Sequence, residues 1–238
     1  MNRVEKLSEM TFGQHLYELR RRLLRVACVY FALFGFCYLI RGWLYSAMIA
    51  PLRRVMSDTP LIYTRITEAF VSEMNLVAAA AFLLLLPYAI LQVWQFVAPG
   101  LYAREKRSVI PYVIAAPIMF LTGIAFAYFL VLPSTLKFML GFSAGGAEAM
   151  PKISEYFSFV VELLRAFGIC FMLPVAVVFL GRTGIIDRET LEVSRKWAFL
   201  GAFMLGAVLT PPDVTSQIAL ALPLYALYEV ALRFVPRR

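Results

Sequence analysis

The sequence predicts an all-α protein that crosses a bilayer six times: a concave bundle of kinked helices with short fifth and sixth spans. Three observations carry that prediction. Of 238 residues, 61% are hydrophobic and only 16% charged, an apolar excess that a soluble domain of this size cannot bury. The apolar residues are gathered into long runs separated by charged connections. The basic residues alternate in density between those connections, so that one side of a six-span chain collects sixteen of the twenty-three Lys and Arg. That side is the cytoplasmic one, and both termini belong to it.

Composition also excludes several classes. A net charge of +8 could suit nucleic acid, but the basic residues are split among loops and form no binding stripe, so no nucleic acid is expected. Cys28, Cys37 and Cys170 lie inside apolar runs. Cys28 and Cys37 are about 13 Å apart along one predicted helix, too far to bridge. His15 is the single histidine, which leaves no metal-ligand cluster and no Ser-His-Asp set. No glycine loop cradles phosphate either. No cofactor, no metal and no enzymatic activity are expected, an intramembrane enzyme lacking any nucleophile–base pair. The N-terminus does not read as a cleavable signal, because mixed charge precedes the first apolar run.

Residues 1–238 read as one membrane domain with spans near 23–41, 74–97, 109–133, 156–180, 197–209 and 216–233. Thr11 and Gln14 suit a capping box. Phe12, Leu16, Leu19 and Leu23 then recur at helical spacing, predicting a short interfacial amphipathic helix that leads into the first span. The segment 42–73, with Pro51, Pro60, Arg53, Arg54 and Arg65, is too apolar for a plain loop and is expected to form a structured external cap. Pro87, Pro111 and Pro117 fall within the second and third spans and should bend them.

The second external loop, 134–155, has a glycine-rich tip. In the fourth span Glu162 and Arg165 form the only ionisable pair well inside the apolar runs. At i, i+3 they either satisfy each other or face a water-filled concavity used in transport. A basic loop, 182–196, leads to the fifth span. The fifth and sixth spans flank the turn Thr210-Pro211-Pro212-Asp213 and are too short for the full hydrocarbon thickness, so they must thin the bilayer or lean on partners.

The connection from Gln92 to Arg107 organises the rest. Pro99-Gly100 stops one helix, three basic residues pin the cytoplasmic side, and Glu105 lies among Trp94, Phe96 and Tyr102. Glu105 is either neutralised by Arg104 or Lys106 or held ready for a guanidinium.

Four blocks resemble the TatC family, the large polytopic subunit of the twin-arginine protein translocase. His15-Leu16-Tyr17-Glu18-Leu19-Arg20-Arg21-Arg22-Leu23 is similar to its N-terminal signature, and Gln92-Val93-Trp94 through Phe96, Ala98-Pro99, Tyr102 and Glu105 to its first cytoplasmic loop. Ala125-Phe126-Ala127-Tyr128-Phe129 resembles its third span, and Leu209 through Gln217 its turn between the last two spans. The resemblance implies a non-enzymatic signal-peptide receptor in the cytoplasmic (inner) membrane, exporting folded proteins on the proton-motive force. Its expected partners are twin-arginine signal peptides, TatB- and TatA-like single-span subunits, the lipid bilayer and further copies of itself.

On the same resemblance, Glu18, Arg20, Phe96 and Glu105 bind the signal peptide, Thr210, Asp213 and Gln217 position the partner subunits, and Pro51 is architectural. Glu18 has a plainer role open to it as a helix pair with Arg21 or Arg22, and Asp213 as a helix cap. One departure stands out. Many relatives carry a glutamate or glutamine in the fourth span where this chain has Met172, and Glu162 lies about 15 Å away along the helix, too far to replace it. The alternative function is a small-solute or ion carrier built on Glu162 and Arg165. No internal repeat divides the chain, which counts against that carrier.

Overall fold

The computed structural model describes residues 12–56, 61–97, 103–141, 150–183, 186–209 and 214–235, which are helical almost throughout. A backbone in hydrocarbon must satisfy its own N–H and C=O groups, and among the described residues the sole β pairing is one isolated bridge, Ile62 with Lys152. In order come α1 (Phe12–Leu39), α2 (Arg41–Val55), α3 (Glu68–Val97), α4 (Ala103–Phe126), a π-helical turn (Ala127–Val131), α5 (Leu132–Gly141), α6 (Ile153–Thr183), α7 (Arg188–Val193), α8 (Arg195–Leu209) and α9 (Val214–Phe234). Among the described residues five helices are long and apolar enough to cross a membrane, over Leu16–Leu39, Glu68–Val93, Pro111–Met139, Ile153–Arg182 and Gln217–Phe234.

Four expectations need correction. α1 is one unbroken helix of 28 residues, so no separate interfacial helix precedes the first span: apolar residues at helical spacing simply merge with the apolar run behind them. The third span continues through the π turn into α5 and reaches Gly141. The basic 182–196 connection is not an open loop, since α7 folds Leu191 against Leu232 and Val235 of the chain's end. Finally, α9 has 21 residues, about 31 Å at 1.5 Å per residue, and is not short. Only α8, with 15 residues and about 22 Å, falls below the hydrocarbon thickness. Thr11, the Pro99-Gly100 stop and the glycine-rich tip lie outside the described residues.

α6 is the centre of the bundle, touching α3, α4, α8 and α9, while α1 lies along α3. Lipid tails are as apolar as leucine, so close packing rather than hydrophobic burial holds such helices together. The α4–α6 crossing shows how close. A Cβ on Gly123 would stand 2.6 Å from the Phe167 carbonyl oxygen, and one on Gly168 would stand 2.5 Å from Phe120 Cε2. Around these glycines Phe126 stacks on Phe167 at 6.0 Å between centroids, with Phe171 tilted against it at 5.4 Å.

The cap predicted over 42–73 is structured. Pro51 lies within α2 and is buried. Having no N–H, it leaves the carbonyl of Ala47, four residues back, without its helical donor. The Tyr128 hydroxyl donates to that carbonyl at 2.5 Å, and the Tyr156 hydroxyl donates to the next one, Met48, at 2.7 Å. Tyr128 reaches it from the π turn, where one extra residue per turn shifts the face that a side chain presents. The far end of the cap is tied down by Glu68, buried at the start of α3. Its carboxylate accepts from Ser154 Oγ at 2.6 Å and from Thr64 N at 2.9 Å, with Lys152 Nζ 3.5 Å away.

Tyr128→Phe is expected to cost about 1–3 kcal/mol of stability in detergent unfolding, the penalty of a buried acceptor left unmet. Adding Pro51→Ala, which restores an N–H to the helix, is expected to recover part of that loss. Strictly additive losses would mean that the hydroxyl is not the substitute donor. At the crossing, Gly123→Val is expected to lower the unfolding free energy by about 1–3 kcal/mol through overpacking, whereas Gly35→Ala, with nothing within 4 Å of its Cβ, leaves it unchanged.

Candidate functional site

Glu18 and Arg22 stand four residues apart on α1 and so share one face. Arg22 places both Nε and Nη2 on Glu18 Oε1, with Nε at 3.2 Å, and sends Nη1 to the backbone carbonyl of Gln92 on α3 at 2.9 Å. The guanidinium fork thus joins two helices as well as two charges. The pairing foreseen within α1 is realised with Arg22, which packs inward with a side chain only 13% exposed, against 24% for Glu18. Arg20 is exposed.

The arrangement leaves two acceptors unmet. Glu18 Oε2 and Gln92 Oε1 are both buried with no hydrogen-bond partner among the described residues. Gln92 is buried and spends its amide Nε2 on the Tyr88 hydroxyl at 2.8 Å. A buried acceptor without a donor is expensive, and each one in a native structure calls for an explanation. The sequence pattern singled out Glu18 but gave Gln92 no role, because a glutamine in an apolar run carries no charge signal. Phe96 falls in the last turn of α3 and Glu105 in the first turn of α4; their side chains lie outside the described residues. Backbone placement alone therefore sets Glu105 on the connection that follows Gln92.

Glu162 and Arg165 do not form the ion pair that their spacing permits: both are exposed, and no bridge joins them. They line instead a concavity of about 240 Å³ between α3 and α6, together with Ser72, Asn75, Ser154 and Ser158. Met172 packs on the apolar core. At the other side of the bundle Gln217 donates from Nε2 to the Phe203 carbonyl at 3.1 Å, tying α9 to α8. A Cβ on Gly206 would meet Gln217 Cγ at 3.1 Å, so that contact is tight. Thr210 and Asp213 lie outside the described residues. No group of three His, Cys, Asp or Glu side chains that could hold a metal occurs among the described residues.

Five apolar spans, a partly desolvated carboxylate at one rim and a polar concavity on one side define a multi-pass helical membrane protein. Comparison with known proteins is more specific. The family model described as Sec-independent protein translocase protein (TatC) matches residues 14–223. A Sec-independent protein translocase protein TatC of Desulforapulum autotrophicum is 39% identical over 233 residues, covering 98% of this chain and 86% of that one. The protein of the same name from Escherichia coli K12 is 37% identical over 221 residues, 92% of this chain and 86% of its own length. Crystal structures of the twin-arginine translocase receptor TatC superpose with TM-scores of 0.77 and 0.80, at 34% and 33% identity, over 92% and 93% of this chain and 97% and 99% of theirs. The chain belongs to the TatC family.

Because Glu162 and Arg165 are not in contact, their neutralisations are expected to be independent. A double-mutant cycle of Glu162→Gln and Arg165→Gln in detergent unfolding should give a coupling below about 0.5 kcal/mol. A larger coupling would put the two side chains back in one ion pair.

Proposed function

We propose that this protein is the signal-peptide receptor and core subunit of a twin-arginine translocase, exporting folded proteins across the cytoplasmic membrane on the proton-motive force. The observation that carries the reading is the half-occupied carboxylate of Glu18: Arg22 takes one oxygen, and the other is buried without a donor. A guanidinium is the donor that best suits such a site, being planar, permanently charged and only weakly hydrated. Glu105, on the connection beyond Gln92, is the second prong, with Phe96 as an apolar neighbour and Arg20 at the exposed entrance. Reduced dielectric at the rim strengthens each contact above that of a fully solvated pair. The role is one of binding and scaffolding, not of catalysis.

The chain forms a single six-span membrane domain in this reading, α8 being the fifth span, with both termini cytoplasmic. α8 is too short to cross by itself, so the bilayer thins beside it or single-span TatB- and TatA-like partners cover its ends. Thr210, Asp213 and Gln217, at the α8–α9 turn, position those partners, and further copies of the chain join the assembly. Glu162 and Arg165 supply the polarity that Met172 does not, at another depth of the concave side. The carrier alternative has no support from the family to which the chain belongs.

Glu18→Ala and Glu105→Ala are each expected to leave the protein inserted while abolishing site-specific crosslinking to a twin-arginine precursor; undiminished crosslinking in both variants would refute the assignment. Four leucines added to α8 are expected to weaken co-purification of the single-span partners, and unchanged assembly would rule out thinning as the reason for its length.

A further inference from the structure

The receptor reading uses the charge of Glu18 and leaves Gln92 unexplained. Gln92 is 7% exposed, yet it brings a full amide into the apolar flank of α3. Its Nε2 is satisfied by Tyr88, one turn earlier, at 2.8 Å. That bond fixes which way the amide points, and its oxygen is left with no donor. The guanidinium of Arg22 is engaged with the backbone carbonyl of Gln92 at 2.9 Å and with Glu18. Two buried acceptors, Glu18 Oε2 and Gln92 Oε1, therefore flank one resident guanidinium from two different helices.

We infer that Gln92 is a ligand-reading residue: its side-chain oxygen and Glu18 Oε2 together accept one arginine of the signal peptide, while Arg22 stays in place as the resident cation. The inference rests on the receptor reading and deepens it. Charge explains why the second acceptor is neutral. Arg22 already offsets Glu18, so an incoming guanidinium meets a neutral pair and needs directed acceptors more than further negative charge. Geometry explains why the ligand is arginine. A guanidinium carries several N–H groups in a fixed plane and can serve acceptors on two helices at once, whereas an ammonium is a point charge that satisfies the carboxylate and leaves the amide oxygen unmet. Gln92 thus contributes selectivity between arginine and lysine, and Glu18 contributes attraction.

The test uses the full-length protein in detergent and fluorescent signal peptides carrying Arg-Arg, Lys-Arg, Arg-Lys or Lys-Lys, with affinity read by anisotropy. Gln92→Met keeps the length of the side chain and removes the acceptor. It is expected to weaken Arg-Arg binding about tenfold or more, the worth of one hydrogen bond to a charged group. One of the two single-lysine peptides, the one whose lysine replaces the arginine read by Gln92, is expected to lose no affinity in that variant. Tyr88→Phe, which frees the amide to rotate without touching the ligand, should give a smaller loss with the same peptide pattern and keeps the test alive if Gln92→Met unfolds. Glu18→Gln is expected to weaken all four peptides. Wild-type affinity of Gln92→Met for Arg-Arg, with Glu18→Gln impaired, overturns the role of Gln92 and leaves the receptor reading standing. Equal losses on all four peptides in Gln92→Met also overturn it, since the residue then acts only through packing. Unchanged binding in Glu18→Gln removes the receptor reading itself, and the inference with it.

Discussion

A peptide carbonyl shut away from water must have a donor, and in this bundle one such carbonyl decides where several helices go. Pro51 denies the Ala47 oxygen its helical partner, and the Tyr128 hydroxyl takes over at 2.5 Å. To bring that tyrosine to α2, the third long helix adopts a π turn over Ala127–Val131. The turn buries Ala127 and Val131 completely, while Phe129 faces outward. The adjacent Tyr156–Met48 bond then fastens the same segment of α2 to α6. A proline that would weaken an isolated helix therefore becomes the reason that three elements meet. The glycines at the α4–α6 crossing allow the helices to stand close enough for those hydroxyls to reach.

The same economy recurs elsewhere: several polar side chains in the bundle are spent on backbone oxygens of another element. Tyr228 donates to the Leu191 carbonyl at 2.8 Å, Arg188 to that of Val235 at 3.0 Å, and Gln217 to that of Phe203 at 3.1 Å. These contacts close the bundle on itself. Against that background Glu18 Oε2 and Gln92 Oε1 stand out, because both are acceptors, both are buried and neither is used. Their position on α1 and α3 is held by Arg22, whose fork ties the two helices. A site fixed in this way needs little reorganisation when its ligand arrives.

Much of this was legible in the sequence, and the rest was not, for physical reasons that differ from residue to residue. Long apolar runs fix helices in a bilayer, so the all-helical class and the positions of the apolar helices follow from composition, although α9 is longer than its apolar run suggested. Glu18 was legible through the resemblance of His15–Leu23 to the N-terminal signature of the TatC family, since by itself a carboxylate among arginines reads as an ordinary helix pair. Where an element ends is harder to read: the third span and α9 run further than expected, since polar and arginine side chains can lie along a helix that continues beneath them. The π turn has no composition of its own, as Ala127, Phe129 and Leu130 would suit an α-helix equally well. Glu162 and Arg165 had the right spacing to pair and do not: both stay exposed on the concavity between α3 and α6, where solvation competes with a weak i, i+3 pair. Gln92 escaped notice because its importance lies in what it lacks, and a missing donor is a property of three dimensions.

In the proposed reading, the fixed charges also explain how a receptor for a cationic tag stays selective. Were Glu18 a bare carboxylate at the rim, it would attract any basic segment, including the many lysines and arginines of unrelated proteins. With Arg22 on one oxygen, the local charge is offset and non-specific attraction falls. What remains is a set of directed acceptors in fixed places, which reward a planar guanidinium and give an ammonium little. Selectivity is then gained from hydrogen-bond geometry in a partly desolvated site, where an unmet acceptor penalises the wrong ligand, more than from net charge.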